Sequence, residues 1–246
     1  MTKTTPQEVK PYSETGSKKQ QVTDMFDNIA PKYDLLNRVL TLGIDTIWRK
    51  KAINMLDKGV HNKILDVATG TADVAVELNK QLEPSEIIGL DISPIMIQHG
   101  NIKVNKKGLK DVIKLEVGDS ENMRFEDNYF DAVTVSFGVR NFGNLERGLS
   151  EMYRVTRDDG KVVILEFSKP KIFPFKQLYN FYFKNILPLI GKKGSKDDNA
   201  YEYLYKSVQA FPDYEKFGAI LEKVGFRSVQ WKPLSLGICT IYTGVK

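Results

Sequence analysis

The chain has 246 residues, of which 41% are hydrophobic and 27% charged, as in globular domains with a sizeable core. One cysteine and two histidines exclude an intramolecular disulfide framework and argue against structural zinc and iron–sulfur clusters. The formal net charge of +5 suits an anionic membrane surface, a nucleic acid or neither. The expected compartment is the cytoplasm, and no metal is expected.

The N-terminal residues 1–21 are polar and lack an apolar run, which predicts a flexible tail rather than a signal peptide. No apolar stretch approaches the roughly 20 residues that span a bilayer. Residues 22–246 are expected to form a single domain. Its first part, residues 22–56, is predicted to be a helical cap that is broken near Pro31 and Gly43.

From Lys63 onward, short β-rich runs alternate with helical stretches. Predicted strands are Lys63–Val67, Glu86–Leu90, Val112–Val117, Phe130–Ser136 and Lys161–Phe167, and the helices between them are Thr71–Leu82, Pro94–Asn105 and Leu145–Thr156. A helix over Tyr214–Val224 and two strands, Phe226–Trp231 and Ile238–Gly244, follow. The alternation predicts an α/β fold with helices on both faces of a mostly parallel seven-stranded sheet. The short loop before the last strand predicts that this strand is antiparallel.

Residues 171–205 interrupt this alternation. Six aromatic residues lie there among lysines: Phe173, Phe175, Tyr179, Phe181, Tyr182 and Phe183. Insertions at the carboxyl edge of such a sheet often cover an active site. A substrate-covering insert is therefore expected, with some aromatics on the core and others suited to membrane contact.

The turn after the first strand, Asp66–Asp73, can bring the backbone close to a ligand. A dinucleotide would need G-x-G-x-x-G, of which only Gly70 is present, and Asp73 would repel its diphosphate. S-adenosylmethionine carries positive charge, which carboxylates at Asp66 and Asp73 suit. Asp91 follows Gly70 by 21 residues, where it can accept from ribose hydroxyls. The simpler alternatives are dipole stabilisation by Asp73 and helix capping by Asp91.

Two further strand ends carry candidate residues. Asp119 could accept from an adenine amino group and Ser120 could contact the ring, although Gly, Asp and Ser are also typical of plain turns. Arg140 and Asn141 follow the fourth strand, where the transferable methyl group would lie. A guanidinium there can stabilise a phenolate, or it can pair with a structural carboxylate. No general base is assigned.

Several segments together resemble the UbiE/MenG family of quinone-biosynthesis C-methyltransferases, from Val22 to the C-terminus. They are Phe26–Asp34 with Asn37, Trp48–Arg49, Leu65–Asp73, Asp91–Ser93, Ser136–Phe142, Gly148–Val155, Leu165–Pro170, Ala210–Asp213 and Gly237–Ile238. The resemblance implies a Rossmann-like class I methyltransferase that transfers a methyl group from S-adenosylmethionine to a ring carbon of a polyprenylated quinol. Demethylmenaquinol is the favoured substrate, and the benzoquinol precursor of ubiquinone is the alternative.

The candidate site residues fall into three groups. The cofactor contacts are Asp66, Gly70, Thr71, Asp91, Ile92, Asp119, Ser120 and Ser136; the catalytic candidates are Arg140 and Asn141; the substrate contacts are Tyr33, Asn37 and Phe142. Asp34 is a further candidate for the ring pocket.

Other functions and partners stay open. A methyltransferase for nucleic acid is disfavoured because the amino-methylation signature is absent, and a non-enzymatic scaffold is the remaining alternative. Peripheral contact with the inner face of the cytoplasmic membrane is expected, and a homodimer is left open.

The last expectations concern two departures from the family's glycine-rich turn, and the two histidines and single cysteine of the chain. Ala68 and Ala72 stand where the family usually has glycine, which predicts either ordinary φ angles at both or a ligand that sits slightly further out. His61 is expected at the surface, His99 on a helix face and Cys239 in the core.

Overall fold

The computed structural model describes residues 5–181 and 198–246. Its centre is a seven-stranded sheet in the order β3-β2-β1-β4-β5-β7-β6. The strands are β1 Lys63–Val67, β2 Glu86–Asp91, β3 Ile113–Val117, β4 Phe130–Ser136, β5 Thr156–Phe167, β6 Arg227–Leu234 and β7 Cys239–Val245. Strand β7 runs antiparallel to both of its neighbours, whereas the pairs from β3 through β5 are parallel. The predicted fold class is therefore confirmed, including the antiparallel last strand.

Helices flank this sheet. They are α1 Lys18–Ile29, α2 Tyr33–Thr41, α3 Ile44–Ile53, α4 Asp73–Leu82, α5 Pro94–Lys106, α6 Leu145–Val155, α7 Phe175–Phe181, α8 Asp198–Ala210 and α9 Glu215–Val224. Side-chain caps start two of them: the Ser93 hydroxyl accepts from the Met96 N–H at α5, and the Asn144 side chain accepts from the Arg147 N–H at α6.

The core lies on both faces of the sheet. Successive residues of a strand point to opposite faces, so Val133 packs in one hydrophobic cluster and Ala132 in the other. Strands β4 and β7 are the most completely enclosed, each with six buried residues before its last one. A strand buried on both faces needs a continuous apolar run, and such runs made the central strands predictable from sequence.

The N-terminal region differs from the prediction. Helix α1 begins at Lys18, inside the predicted tail, and Val9 is buried among Val22, Met25 and Tyr203. Residues 5–21 therefore pack on the domain, because an apolar side chain and a buried lysine anchor a segment that looks polar by composition. The breaks near Pro31 and Gly43 separate α1, α2 and α3 as predicted.

Two of the three scarce residues, Cys239 and His61, are buried. Cys239 is fully buried, so its predicted core position is confirmed. His61 is also buried, and the prediction that it lies at the surface is wrong. Burial lowers the pKa of His61, so the ring is held neutral beneath the start of β1.

The insert contributes α7 and α8 to the described structure. Tyr179 is buried, whereas Phe173, Phe175 and Phe181 are exposed; the membrane contact expected of the exposed aromatics stays a prediction. Tyr182 and Phe183 lie outside the described residues. Within the described ranges, no helix is long and apolar enough to cross a membrane.

Candidate active site

The turn after β1 folds back tightly on the carboxyl end of β2. The Thr69 N–H donates to the Leu90 carbonyl at 3.1 Å, and the Ala72 N–H donates to the Thr69 carbonyl at 3.0 Å. Ala68 and Ala72 adopt φ angles of 53° and 66°. The prediction of ordinary φ at both alanines is therefore wrong, because the tight reversal requires left-handed backbone whichever residue occupies it.

Two buried carboxylates hold this turn from beneath. Asp66 accepts from the hydroxyls of Thr69 at 2.7 Å and Thr134 at 2.9 Å. Asp91 accepts from the N–H of Gly70 at 2.8 Å and of Ser93 at 2.9 Å. Burial raises the pKa of each carboxyl to about 6, and neither forms an ion pair with any residue that the structure describes. Both therefore carry uncompensated charge at neutral pH.

A narrow slot opens above this turn, at the carboxyl ends of β1, β2, β3 and β4. Predicted residues in its lining are Gly70, Asp91, Ile92, Asp119, Ser120, Ser136, Tyr33, Asn141 and Phe142. A Cβ at Gly138 would lie 2.6 Å from the Cβ of Ala68, so glycine is needed where the β1 and β4 turns meet. The structure thus brings nine of the thirteen candidates to one slot, and their roles there stay predictions.

The charges around the slot favour a cationic ligand. Asp119 and Glu121 join Asp91 in its lining. The main opposing charge is Lys19 of α1, whose ammonium group lies 2.7 Å from Asp119 and 3.3 Å from Glu121. A diphosphate would meet repulsion from this set of carboxylates, whereas a ligand that carries an ammonium and a sulfonium would offset their charge. The donor set therefore fits S-adenosylmethionine and not a dinucleotide.

Three acidic or polar residues of the predicted site lie elsewhere. Thr71 donates to Asp34, and both line an open cleft beside Lys103 and His99. Asp73 pairs with Lys103, and with Arg49 at 2.8 Å. Although burial alone would raise the pKa of Asp73, these two cations hold it below its ordinary value.

These contacts place three candidates outside the slot. Thr71, Asp73 and Asp34 form a network of hydrogen bonds and ion pairs with Lys103, and the cofactor contact expected of Thr71 stays a prediction. Asp66 lies beneath the turn and is only 1% exposed, so it does not line the slot.

A second, larger cavity of about 370 Å³ adjoins the slot. Its walls come from the helical cap, the insert and the loop before β7. Apolar lining residues include Met25, Ile29, Leu36, Leu40, Trp48, Phe167, Phe175, Leu204, Leu236 and Ile238. Phe26, Tyr33 and Phe137 line both the cavity and the slot, so a ligand in each would meet at these three side chains.

The catalytic candidate Arg140 lies in the wall of the large cavity. Its Nη1 donates to the carbonyl of Phe137, and to Glu166 Oε1 at 2.9 Å. Glu166 is fully buried, so Arg140 does pair with a structural carboxylate, as the alternative held. Both of these hydrogen bonds come from Nη1, and its Nη2 donates to none of the described residues, which leaves that nitrogen for a ligand.

Asn141 and Phe142 lie on the slot side instead. The Asn141 amide oxygen accepts from the Tyr203 hydroxyl at 3.1 Å, and its nitrogen donates to the Phe137 carbonyl at 3.3 Å. Of the substrate candidates, Tyr33 and Asn37 line the large cavity, whereas Phe142 lines only the slot. The substrate role expected for Phe142 is therefore not supported by its position.

Sequence reasoning gave no role to several residues that line the two cavities or lie beside them. Lys18 of α1 donates to the carbonyls of Arg140 at 2.9 Å and Phe142 at 3.1 Å, which fixes the cap over the slot. Arg49 and Tyr201 line the large cavity. The Trp48–Arg49 segment was noted only for its resemblance to the family. The contacts of Lys18 join residues more than 100 positions apart, and such contacts produce no local sequence pattern.

Comparisons with known proteins agree with this arrangement. The model of the ubiE/COQ5 methyltransferase family matches residues 14–246. A demethylmenaquinone methyltransferase of Bacteroides fragilis is 50% identical over 98% of this chain and 99% of its own length. A ubiquinone/menaquinone biosynthesis C-methyltransferase, UbiE, of Geotalea daltonii is 46% identical over 93% of this chain and 97% of its own length.

A solved structure supports the fold independently. The S-adenosylmethionine-dependent methyltransferase of Aquifex aeolicus is 21% identical and aligns with a TM-score of 0.55. The alignment covers 80% of this chain and 88% of that one. At this identity, the likeness concerns the arrangement of strands and helices alone.

Proposed function

The chain belongs to the ubiE/COQ5 methyltransferase family, and from this premise we propose that it methylates a ring carbon of a polyprenylated quinol with S-adenosylmethionine. Membership confirms the resemblance drawn from sequence and the expectation of a methyltransferase. Demethylmenaquinol is the proposed acceptor, since the Bacteroides fragilis relative at 50% identity is named demethylmenaquinone methyltransferase.

The junction of the two cavities carries this proposal. One compartment is narrow and acidic, and its neighbour is large and apolar. A charged methyl donor suits the first and a polyprenylated ring suits the second. Because Phe26, Tyr33 and Phe137 border both, the donor methyl group and the acceptor carbon would come together there, which supplies the proximity that such a transfer needs.

The cofactor contributes an electrophilic methyl group when it is bound. Gly70, Asp91, Asp119, Ser120 and Ser136 are the residues that would hold it. Asp91 has oxygen lone pairs beyond those used by Gly70 and Ser93 to accept from ribose hydroxyls.

The chain must also increase the electron density of the acceptor carbon. A quinol does this when one hydroxyl loses its proton and its negative charge spreads to the ring. Arg140 is held in place by Glu166 through its Nη1, and its Nη2 donates to none of the described residues, so it can stabilise the developing phenolate. Asn141, fixed by Tyr203, stands on the cofactor side of the same turn and would help to orient the donor.

A paired methylation assay tests the proposed substrate. The purified protein is incubated with S-adenosylmethionine and either demethylmenaquinol or the benzoquinol precursor of ubiquinone, both kept reduced. Methylation of demethylmenaquinol is expected to be much faster. Activity on the benzoquinol alone would reverse the assignment, and calorimetry without any S-adenosylmethionine binding would favour the scaffold alternative.

We also propose that the mouth of the large cavity docks on the inner face of the cytoplasmic membrane. Leu42 and Leu236 line the cavity, yet they are 85% and 55% exposed. Both adopt left-handed φ, at 52° and 60°, where a leucine costs about 1–2 kcal/mol relative to glycine. Residues that are both strained and solvated suit insertion into lipid, through which a polyprenyl tail could enter the cavity.

Asparagine at both positions separates membrane binding from folding. Asparagine tolerates left-handed φ, so the double variant Leu42→Asn/Leu236→Asn should unfold no more easily than the unaltered protein. Its binding to phosphatidylglycerol vesicles should fall by at least about a hundredfold, since each buried leucine contributes about 1.5–3 kcal/mol. Val60→Asn, at a position 52% exposed before β1, is the control. Equal vesicle binding by all three proteins would contradict this docking surface.

A further inference from the structure

The open cleft between helices α2 and α5 is lined by more cations than carboxylates. Its cationic side chains are Arg38 of α2 and Lys103, Lys106 and Lys107 at the end of α5. Among the described residues, Asp34 is the only carboxylate in this lining. Asp34 is already paired, because the Lys103 ammonium lies 2.8 Å from its Oδ2. An anion that enters the cleft would therefore meet an excess of positive charge.

Three of these cations have no carboxylate partner. Arg38, Lys106 and Lys107 are exposed, and none of them forms an ion pair in the part of the chain that the structure describes. Cations near the end of a helix also complement its dipole, which is the simpler role for each one. That role does not require cations from the ends of two helices to line one cleft.

Two exposed apolar side chains lie in the same lining. Leu35 is 62% exposed and Ile102 is 47% exposed. A single exposed apolar residue is ordinary on a protein surface, but these two lie beside cations without partners. A phospholipid offers a partner to both kinds of side chain, since its phosphate is joined to acyl chains. A free phosphate ion or the backbone of a nucleic acid would use the cations alone.

Helix α2 connects this cleft with the docking surface at the mouth of the large cavity. Its residues Leu36 and Leu40 line the large cavity, whereas Leu35 and Arg38 line the cleft. Leu42 directly follows the helix. Exposed leucines therefore stand near the start of α2 and just beyond its end, so a membrane that receives both lies along this helix and brings its headgroups to the cleft.

We propose that the cleft binds the headgroup of an anionic phospholipid. The inference rests on the proposed membrane docking and deepens it by naming the lipid. The Arg38 guanidinium can donate two N–H groups to phosphate oxygens, and Lys106 and Lys107 add positive charge beside it. Leu35 and Ile102 would contact the acyl chains near the glycerol. A lipid held in this way keeps α2 against the membrane, where a polyprenyl tail can enter the large cavity.

The triple variant Arg38→Gln/Lys106→Gln/Lys107→Gln tests the cleft. Binding of the whole protein is measured by co-sedimentation with vesicles of phosphatidylcholine alone and with vesicles that contain equal parts of phosphatidylglycerol. Each basic residue close to an anionic surface strengthens binding about fivefold. The preference of the unaltered protein for the mixed vesicles should therefore fall about a hundredfold in the variant, while binding to phosphatidylcholine, which depends on the leucines, stays unchanged.

A second triple variant, Lys80→Gln/Lys216→Gln/Lys232→Gln, is the matched control. It lowers the net charge by the same amount at exposed lysines outside the cleft, and it should keep most of the preference. Urea unfolding of both variants checks that each one is folded. Inorganic phosphate, added at constant ionic strength, should not release the unaltered protein from the mixed vesicles. Release by phosphate would make the cleft a site for the free ion.

Three further results would overturn the proposal. An equal loss of preference in the two triple variants would reduce the effect to net charge, and an unchanged preference in the cleft variant would leave its cations with the helix dipole alone. An RNA oligonucleotide that binds the unaltered protein but not the cleft variant, with no preference between the vesicles, would assign the cleft to nucleic acid. These results leave the docking surface intact, whereas an unaltered protein that binds neither vesicle would contradict the docking surface itself.

Discussion

Replacing Asp66 with asparagine should make the free protein more stable and its cofactor binding weaker. Asp66 is 1% exposed and lies between the hydroxyls of Thr69 and Thr134. Both hydroxyls can rotate to donate or accept, so an amide can replace the carboxylate without losing either hydrogen bond. The substitution removes a buried charge and little else.

The magnitude follows from the pKa of the carboxyl group. Burial raises this pKa from 3.8 to about 6. The difference means that ionising the carboxyl group at neutral pH costs the folded state about 3 kcal/mol more than the unfolded state. Because the folded state holds its proton longer than the unfolded state, stability is lost as pH rises from about 4 to about 6. The gain from Asp66→Asn should therefore reach at most about 3 kcal/mol at pH 7 and largely disappear at pH 4.

Urea unfolding at pH 4 and pH 7 measures the stability change, and calorimetry measures S-adenosylmethionine binding. We expect binding to weaken about tenfold at pH 7, since one negative charge near a cationic ligand is lost. Asp131→Asn is the control, because Asp131 pairs with Arg157 at 2.6 Å and accepts from the N–H groups of Asn62 and Lys63. It should lower stability and leave cofactor affinity unchanged. A less stable Asp66→Asn protein at pH 7, or a gain that persists at pH 4, would refute the reasoning.

Three further changes are informative. Asp91→Ala should weaken S-adenosylmethionine binding in calorimetry and also destabilise the fold by about 1–3 kcal/mol, because the N–H groups of Gly70 and Ser93 lose their acceptor; normal cofactor affinity would exclude a ribose contact. Ala68→Gly should raise the free energy of urea unfolding by about 0.5–1 kcal/mol by relieving a φ of 53°, and a loss would mean that the methyl group packs usefully. Arg140→Ala should lower the free energy of unfolding by about 3–5 kcal/mol because buried Glu166 is left unpaired. The double variant Arg140→Met/Glu166→Gln should recover stability but not methylation activity. Recovered methylation in this double variant would exclude Arg140 from catalysis.

The strands of the sheet could be predicted from sequence because each of them is a local run of β-forming residues. Strands β1 and β4 match the predicted bounds at both ends, since buried apolar runs bounded by turns leave little choice. The slot was also largely predictable. Gly70, Asp91 and Asp119 end neighbouring parallel strands or follow them, and such ends meet at one sheet edge.

The misassigned residues depend on distant contacts. Asp73 and Thr71 follow Gly70 closely, but Lys103 and Arg49 draw the Asp73 carboxylate away from the slot. The left-handed angles at Ala68 and Ala72 follow from the reversal onto β2 rather than from their side chains. Tyr201 lines the same cavity as Arg140, but no spacing in the sequence connects the two.

The central claim is transfer of a methyl group to carbon, and the position of a labelled methyl group tests it most directly. The protein is incubated with reduced demethylmenaquinol and S-adenosylmethionine that carries a CD₃ group, and the product is examined by mass spectrometry and NMR. We expect the CD₃ group on the ring carbon beside a hydroxyl, with loss of the single quinone-ring proton. A CD₃ group on oxygen, or an unmodified quinol after complete reduction and with cofactor bound, would contradict it.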